Sequence, residues 1–330
     1  MQIVSSGIKQ VLERYGISEK VQLRKLTSGT VNSLYKLSHE DMKLVLRNCR
    51  MINSKARIQF ILQALLELHN NEIPVPKILY TEEEELYYYL NNQLWILMEY
   101  VEGSTYEYKN IKQLKSAANY LGKIHSISID SLVEFYEPFQ QSMNLWFDQP
   151  FNLLDETKQI CEAVLKEKAD VCWNRFYDAI DMISSVKKEQ LEMLPLAFCH
   201  GDYHGLNLKF LNNEVRGIYD FDNFDIRPRL FDICYSLLML TRHKRGAYDL
   251  DKDSVRTFIE AYQKSSYPLT DIEKELFIPF MIVSYLPDNF YLNKMVEVDG
   301  DILRSIKSYE DGLVAIKKYQ DLILSCIERK

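Results

Sequence analysis

The stretch that decides the fold is His200–Asp232, which reads HGDYHGLNLKFLNNEVRGIYDFDNFDIRPRLFD. Two short apolar runs flank an Asn-Asn-Glu turn, so residues 208–211 and 215–219 are predicted to form a β-hairpin. A hairpin returns the chain to the point where it started. We therefore expect Asp220 to come back beside Asn207 and the preceding loop.

The polar residues around this hairpin suit phosphoryl transfer. Asn207 and Asp220 offer oxygen atoms, which Mg²⁺ prefers as ligands while it keeps positions for water and substrate phosphates. Asp202 lies five residues before Asn207, and its carboxylate could take a proton from a hydroxyl nucleophile. A metal that neutralises charge and a carboxylate that orients the attacking oxygen are what phosphoryl transfer needs.

Other interpretations of these residues are weaker. A single aspartate in a loop is more often a turn former or a helix cap than a catalyst. His200 and His204 have the i, i+4 spacing of zinc ligands on a helix, but Gly201 and Gly205 disfavour a helix here. The joint spacing of the two aspartates and the asparagine favours metal-assisted phosphoryl transfer.

The remaining sequence divides into two textures. Residues 1–100 alternate strand-like runs with turn clusters, and apolar periodicity predicts helices over residues 8–15 and 54–70. Three further strands are predicted over residues 77–103. Residues 101–330 are dominated by helical periodicity, apart from the hairpin region. The pattern predicts a small α/β lobe followed by a larger, mostly helical lobe.

Composition excludes several classes of protein. The chain has 330 residues and a formal net charge of −7, and a net acidic chain is a poor general ligand for nucleic acid. No apolar run approaches the roughly 20 residues that span a bilayer, and the first residues lack the pattern of a secretory signal. Six cysteines without a Cys-x-x-Cys pair predict reduced, buried thiols. We therefore expect a cytoplasmic protein with neither nucleic-acid nor membrane partners; its oligomeric state stays open.

The motif HGDYHGLN, followed by IYDFD and PRLFD, resembles the aminoglycoside phosphotransferase and choline kinase family. That family shares a two-lobed fold with the eukaryotic protein kinases. Weaker motifs occur in the family's order over most of the chain: LTSGTVNSLYKL, IPVPKIL, MEYVEG and YLGKIH. The IPVPKIL motif, the long second lobe and DFDNFDIRPRL look most like the homoserine kinase and spore-coat-kinase-like branch.

This resemblance implies an α+β, protein-kinase-like fold. A small N-terminal lobe with an antiparallel sheet, residues 1–100, would bind the nucleotide. A larger, mostly helical C-terminal lobe, residues 101–330, would carry catalysis and the acceptor site.

The resemblance also implies roles for the residues of the decisive stretch. Asp202 would be the catalytic base or hydroxyl orienter, and His200 would brace its loop. Asn207 and Asp220 would hold Mg²⁺, and Asp222 would be either a second metal ligand or a group that supports the first. In the last motif, the aspartate at position 232 would cap the following helix and hold the catalytic loop through hydrogen bonds.

Nucleotide contacts are implied for the first lobe. Residues over the phosphates would be Ser28, Gly29, Thr30 and Asn32, and the segment facing the purine would include Met98, Glu99 and Val101. The family usually has a lysine on the third strand to hold phosphates, but the run KLVLR places Arg47 there. Arginine keeps the charge with a different, forked geometry.

The usual partner of that cation is a glutamate on the first-lobe helix. Its position falls near Ile61, where Glu67 is the only acidic residue among the polar neighbours. The ion pair is therefore predicted to be absent or rebuilt.

Two functions follow from this resemblance. The first is transfer of the γ-phosphate of Mg-ATP or Mg-GTP to a hydroxyl of a small molecule, and the net negative charge favours an amino-containing acceptor. Candidate acceptor contacts are Asp225, the aromatic stretch 139–147 with Trp146, and residues 285–291 with Asp288. The alternative is a nucleotide-binding pseudokinase with a structural or regulatory role, which the change at Arg47 and the missing glutamate favour.

Overall fold

The structure, a computed structural model, describes residues 6–17, 21–26, 32–39, 42–49, 54–136, 144–165, 171–297 and 300–328. Three of the predicted phosphate-loop residues, Ser28, Gly29 and Thr30, lie outside the described residues. The same holds for residues 139–143 of the predicted aromatic stretch.

The chain forms two compact units, each made of discontinuous segments. Unit 1 comprises Met1–Thr105, Ser128–Pro138 and Leu206–Phe224. Unit 2 comprises Tyr106–Ile127, Phe139–Gly205 and Asp225–Lys330. The decisive stretch is therefore shared between the units, and the division into lobes 1–100 and 101–330 stays a prediction.

Unit 1 is built on a five-stranded antiparallel sheet with strand order β1-β2-β3-β5-β4. Its strands are β1 (Gln22–Leu26), β2 (Ser33–His39), β3 (Met42–Cys49), β4 (Tyr88–Leu90) and β5 (Gln93–Glu99). Its helices are α1 (Ser6–Arg14), α2 (Lys55–Asn70) and a 3₁₀ helix, Ile129–Phe135. Apolar side chains of α1, among them Val11 and Leu12, pack with Leu44, Leu46 and Leu97 of the sheet.

Helix α2 confirms the apolar periodicity of the sequence. Ser54 is its N-cap, and the Ser54 hydroxyl accepts a hydrogen bond from the backbone N of Arg57 at 3.2 Å. The helix ends at Asn70, ahead of Pro74. The prediction of three strands over residues 77–103 is wrong, because only β4 and β5 form there. Ile78 makes an isolated bridge to Met98, and the nearby prolines have no N–H with which to extend a ladder.

The predicted hairpin of the decisive stretch is present in unit 1. It consists of β7 (Leu208–Leu211) and β8 (Glu214–Ile218), which are antiparallel neighbours. Asn212 and Asn213 form the two-residue turn with φ of 52° and 66°. Positive φ at both positions characterises the type I′ turn, whose twist matches that of the flanking strands. The Asn-Asn pair thus fixes where the chain reverses.

Unit 2 is the larger, mostly helical part that the fold prediction requires. A two-stranded sheet joins β6 (Leu196–Cys199) to β9 (Asp225–Pro228). The helices are α3 (Ile111–His125), α4 (Asn144–Asp148), α5 (Pro150–Leu165), α6 (Trp173–Ile183), α7 (Lys188–Glu192), α8 (Leu230–Thr241), α9 (Lys252–Ser265), α10 (Asp271–Glu275), α11 (Phe277–Val283), α12 (Asn289–Glu297) and α13 (Ile302–Ile327). Within the described ranges, no helix combines the length and apolar character needed to cross a bilayer.

Candidate active site

In unit 2, the loop that follows β6 is held by the carboxylate of Asp232. Asp232, in the first turn of α8, accepts hydrogen bonds from the backbone N of His200 at 2.5 Å and of Gly201 at 2.8 Å. Gly201 has φ of 81°, a conformation that glycine adopts without steric cost. Asp232 thus makes the predicted loop contacts. It does not cap α8, because the N-cap is Arg229 and has no side-chain cap bond.

Asp232 is kept ionised although it is fully buried. Burial alone raises the pKa of this carboxyl, but His125, followed by Arg227 and His200, outweighs burial and holds the pKa below its usual range. His125 Nε2 lies 3.5 Å from Asp232 Oδ2, and His125 Nδ1 lies 2.8 Å from the hydroxyl of Tyr262. A buried negative charge with these partners stiffens the loop above it.

Asp202, the predicted base, is held at both its backbone and its carboxylate. Its backbone N donates to His200 Nδ1 at 3.2 Å, the geometry expected of a bracing histidine. Its Oδ1 accepts from the hydroxyl of Tyr235 at 2.7 Å and lies 3.4 Å from His204 Nε2. Burial raises the pKa of Asp202, but His204, Tyr235 and His200 lower it further than burial raises it. The carboxylate is therefore ionised at neutral pH.

Sequence reasoning missed two partners of Asp202. The sequence pattern suggests only a zinc-ligand role for His204 and no role for Tyr235. Tyr235 stands three residues after Asp232 in α8, a spacing that puts both on one face of a helix. That spacing was the available signal. Burial lowers the pKa of His204, but the hydrogen bond and charge of Asp202 reverse the shift and raise it.

The hairpin in unit 1 brings together two of the predicted metal ligands. The backbone carbonyl of Asn207 accepts from the backbone N of Tyr219 at 2.9 Å, and Asp220 follows directly. Asp220 has φ of 65° and ψ of 62°, in the left-handed region. Such backbone conformations are uncommon outside glycine and cluster at functional sites. The Asp220 side chain is 49% exposed.

Arg47 lies on β3, paired with Leu34 of β2 and Ile96 of β5. Its Nη2 donates to Asp222 Oδ1 and lies 3.4 Å from Asp220 Oδ1. Burial lowers the pKa of Arg47, but the charge of Asp222 and its neighbours raises it more. The guanidinium therefore remains charged between two carboxylates.

Two further side chains of unit 1 contact the segment after Asp220. The amide Nδ2 of Asn32 donates to Asp222 Oδ2 at 2.8 Å. From α2, Arg57 Nη2 donates to the carbonyl oxygens of Asp222, at 3.3 Å, and of Phe224. Asn32, predicted over the phosphates, thus contacts Asp222, and its nucleotide role stays a prediction.

The predicted purine-binding segment lies at the end of β5. The backbone N of Glu99 donates to the carbonyl of Lys77 at 2.9 Å, and Met98 is buried. The carbonyl of Val101 accepts from the hydroxyl of Tyr219 at 3.1 Å. These two backbone groups are hydrogen-bonded within unit 1, and the role of the segment in purine binding stays a prediction.

Among the residues predicted as acceptor contacts, Asp288 lies beside Tyr291. The backbone N of Tyr291 donates to Asp288 Oδ1 at 3.0 Å, and burial, Asp202 and Asp288 raise the pKa of the Tyr291 hydroxyl. Trp146 and Asp225 are buried, and Asp225 accepts from the backbone N of Ile226 at 2.9 Å. Their placement fits packing and backbone support.

A second polar cluster in unit 2 has metal-ligand residue types. The side-chain donor atoms of His125, Cys199 and Asp232 lie within 4.8 Å of one another. Burial raises the pKa of the Cys199 thiol far above its usual value, so the thiol stays protonated. Because Asp232 already accepts two backbone N–H groups, we interpret this cluster as structural.

The sequence of this site now has a family context. The model of the phosphotransferase enzyme family matches residues 22–268, well over half of the chain. The chain belongs to this family. A search of curated proteins finds no match. The recognition made from HGDYHGLN is thereby confirmed, whereas the homoserine kinase branch stays a prediction.

Solved structures show the same fold at low sequence identity. A spectinomycin phosphotransferase in complex with ADP and spectinomycin is similar, with 15% identity, a TM-score of 0.65, and 97% of this chain and 99% of that chain covered. An ethanolamine kinase from Plasmodium vivax has 18% identity and a TM-score of 0.64, with 96% of this chain and 89% of that chain covered. An amicoumacin kinase in complex with AMP-PNP, Ca²⁺ and Ami has 15% identity and a TM-score of 0.65, with 92% of this chain and 92% of that chain covered. The predicted α+β, protein-kinase-like fold is thereby confirmed.

Proposed function

We propose that this phosphotransferase is a small-molecule kinase that transfers the γ-phosphate of Mg-ATP or Mg-GTP to a hydroxyl of an amino-containing acceptor. The observation that carries the proposal is the Asp202 carboxylate, which is 28% exposed and is paired with Tyr235 and His204 on a loop fixed by Asp232. Burying a charge is costly unless it is paired. Tyr235 and His204 hold this carboxylate in place, which supports a base at this position.

Asp202 would act on the acceptor hydroxyl. The bond between the hydroxyl oxygen and the γ-phosphorus forms as the bond from that phosphorus to the bridging oxygen of the diphosphate breaks. The hydroxyl proton passes to Asp202, and the nucleoside diphosphate leaves. Tyr235 and His204 hold the carboxylate in one orientation, which favours transfer because a positioned base acts without reorganisation.

The residues of the hairpin suit a hard divalent cation. Asn207 and Asp220 present amide and carboxylate oxygens, and the half-exposed side chain of Asp220 leaves access for water. Asn207 and Asp220 would hold Mg²⁺, which when bound supplies positive charge to the phosphate oxygens. Asp222, the third predicted ligand, has both carboxylate oxygens engaged by Arg47 and Asn32.

An amino-containing acceptor fits the charges of unit 2. Asp288 and Tyr291 form a carboxylate and aromatic pair whose electrostatics also involve Asp202. Carboxylates and the faces of aromatic rings both attract ammonium groups. The similar structures include an ethanolamine kinase and a spectinomycin phosphotransferase, which supports an acceptor of this chemical class.

The first test is thermal unfolding with ATP or GTP, with and without Mg²⁺, for the wild type and Asp220→Asn. A ligand at a hundredfold its Kd stabilises by about 2.7 kcal/mol, equivalent to about 5 °C for a chain of this size. We expect a Mg²⁺-dependent rise in the midpoint that the variant loses. No rise with either nucleotide would refute nucleotide use.

The second test is a transfer assay with amino alcohols, amino acids and aminosugars, each paired with the analogue that lacks the amino group. We expect transfer to members of the amino series and weaker transfer to the paired analogues. Nucleotide binding without transfer to any acceptor would instead support the pseudokinase alternative.

A further inference from the structure

Asp222 occupies the position for which the sequence left two roles open. We propose that Asp222 is a positioning residue that replaces the missing helix glutamate as the fixed anionic partner of Arg47, and that it directs this guanidinium to the nucleotide phosphates. The inference rests on the proposed function, because it assigns Arg47 a phosphate to contact. It assigns metal binding to Asn207 and Asp220 alone.

Both oxygens of the Asp222 carboxylate accept hydrogen bonds. Asp222 Oδ1 accepts from Arg47 Nη2, and Asp222 Oδ2 accepts from Asn32 Nδ2 at 2.8 Å. Its side chain is 18% exposed, against 49% for Asp220. A metal ion on either Asp222 oxygen would have to share that oxygen with a hydrogen-bond donor, and on Oδ1 that donor is the cation Arg47.

The second argument is the charge that α2 contributes. Glu67, the acidic candidate on this helix, lies in the last turn and accepts from Asn71 Nδ2 at 3.0 Å. Among the described residues, the ion-pair partners of Arg47 are Asp220 and Asp222. In the first turn of α2, it is a cation, Arg57, that contacts the segment carrying Asp222. The helix therefore holds the backbone of the segment and leaves the anion to Asp222.

The third argument is the rigidity of that segment. Besides the hydrogen bonds from Arg57 to the carbonyl oxygens of Asp222 and Phe224, the rings of Phe60 and Phe224 pack with centroids 5.7 Å apart. Phe221 and Phe224 pack at the same centroid distance. A side chain on a backbone held in this way can orient a partner, because little freedom remains to be lost.

One N–H group of Arg47, at Nε, lacks a hydrogen-bond partner among the described residues. Arg47 Nε is buried and makes no hydrogen bond to any of the described residues. A buried unsatisfied donor costs free energy, and a guanidinium presents its N–H groups in a fixed fork suited to phosphate oxygens. With Nη2 fixed by Asp222, the remaining donors are pre-oriented for an anionic group.

The test is calorimetric titration with ADP, in EDTA and in Mg²⁺, of the wild type, Asp222→Asn, Arg47→Met and the double variant. We expect Asp222→Asn to weaken ADP binding about tenfold, and equally in EDTA and in Mg²⁺. The double variant should bind no more weakly than Arg47→Met, since Asp222 acts only through Arg47. Glu67→Gln removes one carboxylate charge from α2 of the same unit and should leave both affinities unchanged.

A loss confined to Mg²⁺ would overturn the inference and make Asp222 a metal ligand. If Asp222→Asn does not fold, the double variant still tests the inference. We expect it to fold, because removing both charges leaves no buried charge unpaired. It should match Arg47→Met in both conditions, and an additional loss in Mg²⁺ alone would overturn the inference. If the wild type binds no ADP in either condition, the proposed function fails. If the wild type binds ADP and Asp222→Asn binds it equally well, only this inference is overturned.

Discussion

Two short segments of this protein each hold a partly or fully buried aspartate, and they hold it by different means. In unit 2, Asp202 is held by the hydroxyl of Tyr235 and by His204. In unit 1, Asp222 is held by the guanidinium of Arg47 and the amide of Asn32.

The difference shows how the partner sets the task of a carboxylate. An arginine cannot be deprotonated in a protein, so Asp222 contacts a permanent cation, Arg47. Asp202 is instead held by a tyrosine hydroxyl and a histidine, which lower its pKa and fix the orientation of its carboxylate. Under the two proposals, the same residue type would serve proton transfer in one unit and orientation of a cation in the other.

The largest expected effect separates these tasks. Asp202→Asn keeps the shape of the side chain and removes the base, so kcat should fall by about 10²–10⁴-fold, while Mg-ADP affinity stays near that of the wild type. The measurement is turnover with an acceptor found in the screen, beside calorimetric titration. Asp178→Asn removes an exposed carboxylate paired with Lys317 at 3.3 Å and is the control. Turnover close to wild type in Asp202→Asn would contradict the base assignment.

The next effect concerns the support of the Asp202 loop. Asp232→Asn leaves one of the two backbone N–H groups, of His200 or Gly201, without its acceptor, so we expect a loss of about 3 kcal/mol in the free energy of unfolding. Urea unfolding at neutral pH measures it. Asp249→Asn, at an exposed aspartate that binds Lys318 at 3.0 Å, should change this free energy little.

The contribution of Asp232 also depends on pH in a definite direction. Its pKa is lowered in the folded state, so its stabilisation is present above the unfolded pKa of about 3.9 and is lost as pH falls through the folded value. The difference between wild type and Asp232→Asn should shrink in acid. A difference that stays constant down to pH 2 would mean that the charge of Asp232 is not what stabilises.

A smaller effect tests how Asp202 is tuned. Tyr235→Phe removes the hydroxyl that donates to Asp202 at 2.7 Å, so the pKa of Asp202 should rise. The acidic limb of kcat/KM against pH should then move upward by about one unit, with KM for the nucleotide unchanged. Tyr319→Phe, which removes a hydroxyl that contacts the surface residue Asp249 at 3.1 Å, should leave the limb in place. If the acidic limb of kcat/KM does not move in Tyr235→Phe, the hydroxyl of Tyr235 does not tune the pKa of Asp202.

The smallest effect concerns His204. Its pKa is raised in the folded state, so its stabilisation is fully present below the unfolded pKa of about 6.5 and is lost as pH rises through the folded value. His204→Gln should therefore lower the free energy of unfolding by about 1 kcal/mol near pH 5.5 and by less near pH 9. His69→Gln, an exposed histidine at the end of α2, is the control. An equal loss at both pH values would show that the charge of His204 is not involved.

The sequence by itself determined the fold and the direction of the site, because both rest on local signals. The Asn212–Asn213 pair specifies a reversal of the chain through backbone conformation, which brings Asn207 and Asp220 to one end of a hairpin. The HGDYHGLN motif was sufficient for the family, and Arg47 was visible as a departure. Apolar periodicity located α2, since the period of a helix is a property of neighbouring residues.

Only the tertiary structure decided the partner of each charged group. Arg47 and Asp222 are 175 residues apart in the chain, and Tyr235 and Asp202 are 33 apart. Such contacts depend on how strands and helices pack, which no local pattern encodes. A carboxylate becomes a base, a metal ligand or an anchor for a cation through the groups that fold against it, because its pKa and free oxygens are set by distance and burial.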